Sequence, residues 1–482
     1  MATTMTQAPV EFVKALSRLD ATALVVGSMI GSGIFIVSAD ILRQVDSPGL
    51  LLLVWGVAGL VTLMGALTYG EMAAMFPKAG GQYVYLREGI SPLFGYLYGW
   101  TLFMVIQTGT IAAVAVAFAR FTGVFVPALS PDVFLGFTAM LPSGPIEVGL
   151  SPQRLLAIAS IVVLTWINVR GVSTAAFIQT SLTVVKTLAL AALILLGITI
   201  GRNPDAIELN FGAALWPETG LTLNLWPLIG AAMVGALFSM DAWNNVGFAS
   251  SELKNPKKDL PFAMAVGVLT VTVLYLMANV AYLHVLPASE IANAPQDRVA
   301  TAVMQEMFGP LGLFVMAAAI MISTFGCNNG LILSGARVYY AMARDKLFFQ
   351  KAGDLHPRYR TPAFGLVVQA VWASLLCLSG TYGQLLDYVI FAAVLFYLLT
   401  AIGLFALRRK QPGAERPVKA PGYPVLPALY VLLTALICVN LLIEKPQYTW
   451  PGLIIVALGI PVYFAWRASV RARGREGLKA EG

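Results

Sequence analysis

Charged residues are scarce in this sequence of 482 residues. Asp, Glu, Lys and Arg make up 11% of the chain and apolar residues 58%, against about 25% and about 45–50% in soluble globular proteins. Apolar runs of about 20 residues, each long enough to cross a bilayer, recur along the whole length. The scarcity of charge therefore excludes a soluble globular protein and predicts a polytopic membrane protein that folds as one helical bundle.

The residues on which most enzymes and metal sites depend are also few. There are two histidines, His284 and His356, and three cysteines, all three within apolar runs. The sequence has no His-Glu-x-x-His zinc motif and no Gly-x-Ser-x-Gly nucleophile motif. It also lacks the Gly-x-x-x-x-Gly-Lys loop that would bind nucleotide in an ATP-driven pump. We therefore expect no enzymatic activity, no metal or other cofactor and no disulfide framework.

Twelve apolar segments are long enough to be membrane spans, and they divide the chain. The first 20 residues lack the apolar core of a cleaved signal peptide. Ten spans form a core, 21–407, with halves at 21–200 and 225–407; spans 11 and 12 occupy 422–467, and a tail follows at 468–482. The predicted spans are 21–44, 48–75, 91–120, 153–169, 175–200, 225–250, 262–286, 309–343, 362–380, 384–407, 422–442 and 449–467.

The net charge of +7 follows the predicted topology of the loops. With the N-terminus in the cytoplasm, 23 of the 31 Lys and Arg residues fall in cytoplasmic segments and 6 on the opposite side, while Lys186 and Arg337 lie within spans. Cytoplasmic loops of membrane proteins are enriched in basic residues. Both termini are therefore predicted to be cytoplasmic, in the cell's inner (cytoplasmic) membrane. The expected partner of this charge is the lipid bilayer, and nucleic acid is excluded.

Spans 1 and 6 contain residues that interrupt a membrane helix. Span 1 carries GSMIGSG at residues 27–33, and each glycine costs roughly 1 kcal/mol relative to alanine inside a helix. Span 6 carries Ser239, Asp241 and Asn244 in an otherwise apolar run. An acidic residue at bilayer depth is expensive and by default marks a functional site. Because the two spans lie five apart, they predict two five-span halves that each open with a broken helix, as in inverted-repeat secondary transporters.

A broken helix exposes unpaired backbone groups inside the membrane. Its N–H end attracts a carboxylate and its carbonyl end attracts an ammonium group, and an α-amino acid carries both. Gly27 and Gly31 also have the Gly-x-x-x-Gly spacing of close helix packing, and for these two glycines that interpretation stays open. The cluster of Gly31, Ser32 and Gly33, together with Asp241, favours a binding site.

Several motifs resemble those of the amino acid–polyamine–organocation (APC) transporters. They are GSMIGSGIF, YGEMAAMFPKAGGQYVYLREGISPLFGYLYGW, STFGCNNGLILSGARVYYAMARDKLF and RPVKAPGYPVLPALYVLL. A further stretch, LFSMDAWNNVGFASSELKNPKKDLP, resembles the L-type amino acid transporter branch and its bacterial serine/threonine exchanger relatives. The resemblance covers nearly the whole chain. It implies an all-α membrane protein of twelve transmembrane helices, a five-plus-five inverted repeat with broken helices 1 and 6, and a site between spans 1, 3, 6, 8 and 10.

The resemblance also implies which residues bind the substrate. In the family, the substrate carboxylate meets the backbone of the glycine turn that matches 31–33 here. The α-ammonium group meets carbonyls at positions matching Met29, Phe238 and Asp241, and an aromatic residue matching Phe238 closes over the substrate. The implied substrate-binding residues are Met29, Ile30, Gly31, Ser32 and Gly33 in span 1, and Phe238, Ser239, Met240 and Asp241 in span 6.

Lys186 lies near the centre of span 5, where its side chain is too short to reach water across roughly 15 Å of hydrocarbon. It therefore needs a polar partner inside the bundle. The candidates are Ser28 and Ser32 of span 1, and Ser323 and Thr324 of span 8. The resemblance implies that this lysine fills the space of the sodium ion of sodium-driven relatives. An ammonium group that only packs is the alternative.

Three further polar residues are candidates for gating or binding. Glu71 ends span 2 and is expected to make a structural or gating contact with the loop that follows, 76–81. Gln107 of span 3 either faces the cavity or forms a hydrogen bond within the core. Asn244 lies beside the second break.

Two departures from the family bear on partners and substrate. The loop after span 3 has no cysteine, so no disulfide-linked heavy subunit is expected. Met240 stands where the family often has an aromatic residue, and Asp241 where it often has a small one. The apolar Phe238 and Met240 favour a neutral amino acid, whereas Asp241 could instead pair with the cation of arginine, lysine or a polyamine.

The predicted function is sodium-independent transport of amino acids, with exchange of neutral amino acids by alternating access. Sodium is not expected to be needed because Lys186 supplies a fixed cation, and exchange is implied by the nearest branch of the family. The alternative is proton-coupled or exchange transport of cationic amino acids or polyamines. A receptor that binds amino acids without transporting them is a further class, which uptake into liposomes would separate. A channel is a third, and closure by Phe238 argues against it.

Overall fold

The computed structural model describes residues 12–141, 144–212, 215–218, 220, 222, 225–379 and 382–480. Helices dominate it. They are α1 Arg18–Met29, α2 Gly33–Val45, α3 Pro48–Met75, α4 Gln82–Gly89, α5 Pro92–Thr101, α6 Gln107–Thr122, α7 Pro152–Val169, α8 Val172–Thr199, α9 Pro204–Phe211, α10 Leu225–Ser239, α11 Pro256–Val285, α12 Ala288–Ala292, α13 Val299–Arg344, α14 Ala363–Cys377, α15 Tyr382–Lys410, α16 Val425–Glu444 and α17 Pro446–Ala480.

Ten helical segments in the described part of the chain are long and apolar enough to cross a membrane. The interrupted segment Arg18–Val45 is one of them, and Pro92–Thr122 is another. Two shorter apolar helices, α10 and α14, have 15 residues each and coincide with predicted spans 6 and 9. The prediction of a helical, multi-pass membrane protein is confirmed.

Burial places the first broken helix at the centre of the bundle. In the apolar window of Arg18–Val45, 94% of residues are buried, whereas 17% are buried in that of Pro446–Val470. Helix α1 lies against α8, α11 and α13, and α2 lies against α10. Protein therefore encloses the interrupted backbone, which is the condition under which non-helical backbone is tolerated at membrane depth.

Both predicted interruptions occur in the described chain. Helix α1 ends at Met29 and α2 begins at Gly33, with Ile30 at non-helical φ −72° and ψ 87°. Helix α10 ends at Ser239, and only turns and short 3₁₀ segments follow before α11. Ala242 has a φ of 68°, a left-handed conformation that costs a non-glycine residue roughly 1–2 kcal/mol. The second half of predicted span 6 is therefore not a regular helix.

The prediction of an all-α chain is wrong for the loop after predicted span 3. Strands β1, Leu135–Leu141, and β2, Gly144–Leu150, form an antiparallel hairpin there. Gly136 and Gly149 disfavour a helix in this segment, and pairing of the strands satisfies their backbone groups. Phe137 on this hairpin is 65% exposed, so the hairpin projects from the bundle.

Two spans depart locally from regular helix. A π-helical turn, Leu102–Ile106, joins α5 to α6, and such turns are frequent at functional sites. Helix α13 begins at Val299, earlier than the predicted start at 309, and bends at Gly309, where φ is 62°. Pro310 follows the bend and lacks the backbone N–H that a straight helix would need.

Residues 12–20, which we call the N-terminal strap, tie the start of α1 to distant parts of the chain. Leu16 exchanges backbone hydrogen bonds of 2.9 and 3.0 Å with segment 252–254. Arg18 forms an ion pair of 2.7 Å with Asp259 of α11. The strap therefore joins the beginning of the first broken helix to the chain that follows the second.

Candidate functional site

Lys186 of α8 contacts the carbonyl end of α1. Its side chain is buried, and Nζ donates to the carbonyl oxygens of Gly27, of Ile30 at 2.7 Å and of Ser323 at 3.3 Å. Carbonyls in the last turn of a helix have no partner within the helix and carry partial negative charge. The ammonium group therefore satisfies carbonyl groups that the first break leaves without helical partners.

The structure brings Lys186 to both helices from which partners were predicted, but its acceptors are backbone carbonyls and not side-chain hydroxyls. The hydroxyl of Ser323 lies 3.1 Å from the Ile30 carbonyl and 3.2 Å from the Gly31 carbonyl. Lys186 and Ser323 thus act on the same short stretch of backbone. Sequence could not distinguish these acceptors, because every residue carries a carbonyl group.

The other three predicted hydroxyl partners have different surroundings. Thr324 donates to the carbonyl of Ile320, one turn earlier in its own helix, at 2.9 Å. Ser28 is buried, and its hydroxyl has no hydrogen-bond partner among the described residues. Ser32 is the N-cap residue of α2, without a side-chain capping bond. Neither Ser28 nor Thr324 forms a hydrogen bond with the Lys186 ammonium group among the described residues.

The first two glycines of the motif pack against neighbouring helices. A Cβ atom added at Gly27 would lie 2.1 Å from Oγ1 of Thr183 in α8. At Gly31 it would lie 2.9 Å from Sγ of Cys327 in α13. Close packing, which the Gly-x-x-x-Gly spacing left open, therefore accounts for Gly27. Gly31 combines tight packing with its position in the break.

Gly33 brings the two breaks together. A Cβ atom at this position would lie 2.0 Å from Oγ and 2.6 Å from Cβ of Ser239, the last residue of α10. The N-terminus of α2 and the C-terminus of α10, where backbone groups lack partners within the helix, therefore lie side by side. The sequence motifs, more than 200 residues apart, form one buried region.

Tyr275 of α11 bridges the same region. Its buried hydroxyl lies 2.9 Å from the Met29 carbonyl and 3.2 Å from the Ser239 carbonyl. One hydroxyl thus reaches the last residue of each helix that ends at a break. Met29, whose carbonyl the family resemblance assigns to the substrate ammonium, already accepts this bond in the described structure.

Asp241 and Asn244 belong to a buried polar network on the other side of the second break. The hydroxyl of Tyr397 in α15 donates to the Asp241 carboxylate. Asn244 donates through Nδ2 to Oε1 of Gln82 at 2.6 Å, and Gln82 lies 3.0 Å from the Thr400 hydroxyl. Asp241 therefore has a partner on a separate helix, which the sequence did not indicate.

A small cavity lies between this network and α6. Gln107, Asp241 and Tyr397 line it. Gln107 also donates to the Leu331 carbonyl at 2.7 Å, so the cavity and core interpretations both apply to it. The two apolar residues of span 6 that were predicted to bind the substrate are also buried. Phe238 is 6% exposed and Met240 is fully buried.

A comparison with protein families adds to this geometry. The family model described as "Amino acid permease" matches residues 16–465, which include both breaks, Lys186 and the polar network. The chain belongs to the amino acid permease family. The match runs almost to the end of the apolar part of the sequence, so the resemblance to APC transporters is confirmed.

Curated relatives align with this permease over nearly its whole length. It is 31% identical to the serine/threonine exchanger of Bacillus subtilis (strain 168), over 94% of this chain and 97% of that protein. It is 32% identical to the human large neutral amino acids transporter small subunit 2, over 94% and 80%. It is 30% identical to the mouse Asc-type amino acid transporter 1, over 94% and 82%.

Glu71 of the permease has partners other than the predicted loop. Its fully buried carboxylate contacts Arg408 at 2.5 Å, Arg416 at 3.1 Å and the backbone N–H of Ala420 at 2.8 Å. It therefore anchors the segment between α15 and α16, and no hydrogen bond to loop 76–81 occurs in the described structure. The sequence placed Glu71 at the membrane boundary, but these cations are more than 300 residues away along the chain.

Replacing Glu71 by glutamine is expected to destabilise the permease by about 3 kcal/mol. A buried ion pair that loses one partner leaves a charge uncompensated, and Arg416 is 9% exposed in its side chain. Thermal unfolding of the purified protein in detergent would measure the loss. Glu290→Gln is the matched control, because Glu290 is exposed and forms no ion pair among the described residues. Equal unfolding midpoints for the two variants would contradict this role.

Proposed function

We propose that this permease is a sodium-independent secondary transporter that exchanges neutral amino acids across the cell's inner membrane by alternating access. The observation that carries the proposal is the meeting of the two breaks at Gly33 and Ser239, enclosed by protein and held by Lys186. Fixed partial charges of both signs within one buried region suit a zwitterion.

The two breaks supply complementary groups for one amino acid. The backbone of the glycine turn, residues 31–33, would bind the carboxylate, because this turn leads into the N-terminus of α2 and a helix N-terminus attracts an anion. Carbonyl groups of Met29, Phe238 and Asp241 would bind the α-ammonium group. Phe238, buried beside Ser239, would close over the bound substrate.

Sodium independence follows from the surroundings of Lys186. Its ammonium group fills the space among the carbonyls of Gly27, Ile30 and Ser323. Carbonyl and hydroxyl oxygens are also what a hard cation prefers, so a second cation would meet the repulsion of this fixed charge. The cycle would therefore not need sodium to hold the first break.

We also propose a fold of twelve transmembrane helices in a five-plus-five inverted repeat, with both termini in the cytoplasm. The ten longer helical segments would be ten of these spans, and the shorter helices α10 and α14 would be spans 6 and 9. Two cavities at different places support this orientation of the loops. One of about 720 Å³ is lined by four of the basic residues predicted to lie outside, Arg43, Arg120, Arg154 and Lys445. Another of about 470 Å³ is lined by four predicted to lie inside, Lys14, Lys78, Arg87 and Arg344.

The assignment of neutral substrates rests on Asp241 and on the relatives. The Asp241 carboxylate already accepts a hydrogen bond from Tyr397, so a cationic side chain would meet a carboxylate that is engaged within the protein. Two of the relatives are named as a serine/threonine exchanger and a large neutral amino acids transporter. All three cysteines are buried in the helices, so we expect no disulfide-linked heavy subunit.

Counterflow in proteoliposomes tests the proposal. Vesicles loaded with unlabelled serine, with equal pH on both sides, are expected to accumulate labelled serine equally fast in sodium and in choline. Empty vesicles are expected to accumulate almost none. Loss of uptake in choline would refute sodium independence, and faster uptake into empty vesicles under a pH gradient would indicate proton coupling. Binding without any flux would indicate a receptor.

A further inference from the structure

We propose that Tyr397 sets the substrate class of this site by holding the Asp241 carboxylate away from the substrate. Without its hydroxyl, the site would accept cationic amino acids. The inference rests on the proposed function, because it concerns selectivity at the same two breaks. Tyr397 is a positioning residue, since it acts through Asp241.

Asp241 is the group on which this selectivity would depend. Among residues 29–33 and 238–245, it alone carries an ionisable side chain. It is 7% exposed and lines two small cavities, one towards Gln107 and one towards Tyr430. An unengaged carboxylate at this place would be the natural partner for a guanidinium or ammonium side chain, because charge-assisted hydrogen bonds are the strong ones.

Tyr397 is fixed in the orientation that engages this carboxylate. Its ring lies 5.3 Å from that of Trp243 and 6.0 Å from that of Tyr69, centroid to centroid. Trp243 follows Asp241 by two residues, so the ring and the hydroxyl of Tyr397 contact the same turn of the break. The contact is therefore part of a packed arrangement and does not depend on a free rotamer.

The polar neighbours that extend this network are uncharged, so none of them replaces the Asp241 carboxylate as an anionic partner for a cation. Asn244 is engaged with Gln82 at 2.6 Å, and Gln107 with the Leu331 carbonyl at 2.7 Å. A cationic substrate would have to compete with the Tyr397 hydroxyl for the Asp241 carboxylate. A neutral substrate would not, because its carboxylate and α-ammonium group are bound by backbone.

The test compares Tyr397→Phe with Tyr85→Phe in the full-length protein. Both changes remove one buried hydroxyl near Tyr69, whose ring lies 6.3 Å from that of Tyr85. The Tyr85 hydroxyl has no hydrogen-bond partner among the described residues. The assay is inhibition of labelled serine exchange by arginine, lysine, leucine and serine, reported as the ratio of arginine to leucine potency.

Tyr397→Phe is expected to raise this ratio at least tenfold, and Tyr85→Phe to leave it unchanged. Adding Asp241→Asn to Tyr397→Phe is expected to cancel the rise, because the carboxylate is then missing. A merely structural loss would lower the potency of all competitors together and would not move the ratio.

Two results would overturn the inference: an unchanged ratio in Tyr397→Phe, or a rise that persists in the double variant. If Tyr397→Phe does not fold, the single variant Asp241→Asn decides. Its ratio of arginine to leucine potency should equal that of the wild type, because the carboxylate of the wild type is not available to substrates. Best inhibition of the wild type by arginine is a separate outcome. It would refute the neutral assignment of the proposed function, whatever Tyr397→Phe does.

Discussion

Replacing Lys186 by methionine is expected to lower amino acid exchange at least 100-fold. Methionine fills a similar volume but donates no hydrogen bond. The Gly27 carbonyl would lose its side-chain donor, and a buried acceptor left unpaired costs about 1–3 kcal/mol. The Ile30 carbonyl would keep the Ser323 hydroxyl at 3.1 Å but lose the ammonium group. The end of α1 would then lose the geometry that the first break requires. Exchange measured in proteoliposomes, per amount of inserted protein, gives the effect.

Lys257→Met is the matched control for this prediction. Lys257 is 53% exposed in its side chain and forms a surface ion pair of 3.4 Å with Glu415, and such pairs contribute about 0–1 kcal/mol. Its replacement is expected to leave exchange unchanged. Exchange at the wild-type rate in Lys186→Met would mean that the ammonium group only packs, and the basis for sodium independence would be lost with it.

Replacing Gly33 by alanine is expected to lower exchange at least tenfold, and replacing it by leucine to abolish substrate binding in an inserted, folded protein. The added Cβ atom would lie 2.6 Å from Cβ and 3.0 Å from the backbone Cα of Ser239. Rotation of the serine hydroxyl would relieve only the contact with Oγ, so the two breaks would have to move apart. Overpacking of this kind typically costs about 1–3 kcal/mol.

Two further variants test whether the loss of exchange in Gly33→Ala comes from its contact with Ser239 or from any side chain added at a glycine. Ser239→Gly removes two of the three close atoms, so the double variant Gly33→Ala/Ser239→Gly is expected to recover part of the exchange. Gly413→Ala is the control, because no atom lies within 4 Å of its added Cβ. Normal transport by Gly33→Leu would place the substrate elsewhere.

The interruptions and the depth of Lys186 could be predicted from sequence because each violates a rule of the membrane interior. Glycines at the centre of a span and charges in hydrocarbon are expensive, so their presence carries information. The partners of these residues could not be predicted. Lys186 binds carbonyl groups, which every residue has, and Glu71 binds cations on a segment remote in sequence.

The tyrosines of the site were missed for a different reason. Tyr275 and Tyr397 lie in long apolar runs, where an aromatic residue is expected to pack in the core. The signal available was that a buried tyrosine hydroxyl usually finds a partner, which indicates a bond but not its acceptor. The hairpin 135–150 was missed because the span pattern describes membrane segments and says little about the loops between them.

The N-terminal strap has a consequence for how the protein is made. Arg18 is separated from Asp259 by 241 residues, which take roughly 12–48 s to synthesise at about 5–20 residues per second. During that time the start of α1 stays in the membrane without this ion pair, through its apolar side chains and, once α8 has been made, through contacts such as that of Lys186 with the Ile30 carbonyl. The start of the first helix to be inserted is therefore locked only after more than half of the chain has been synthesised.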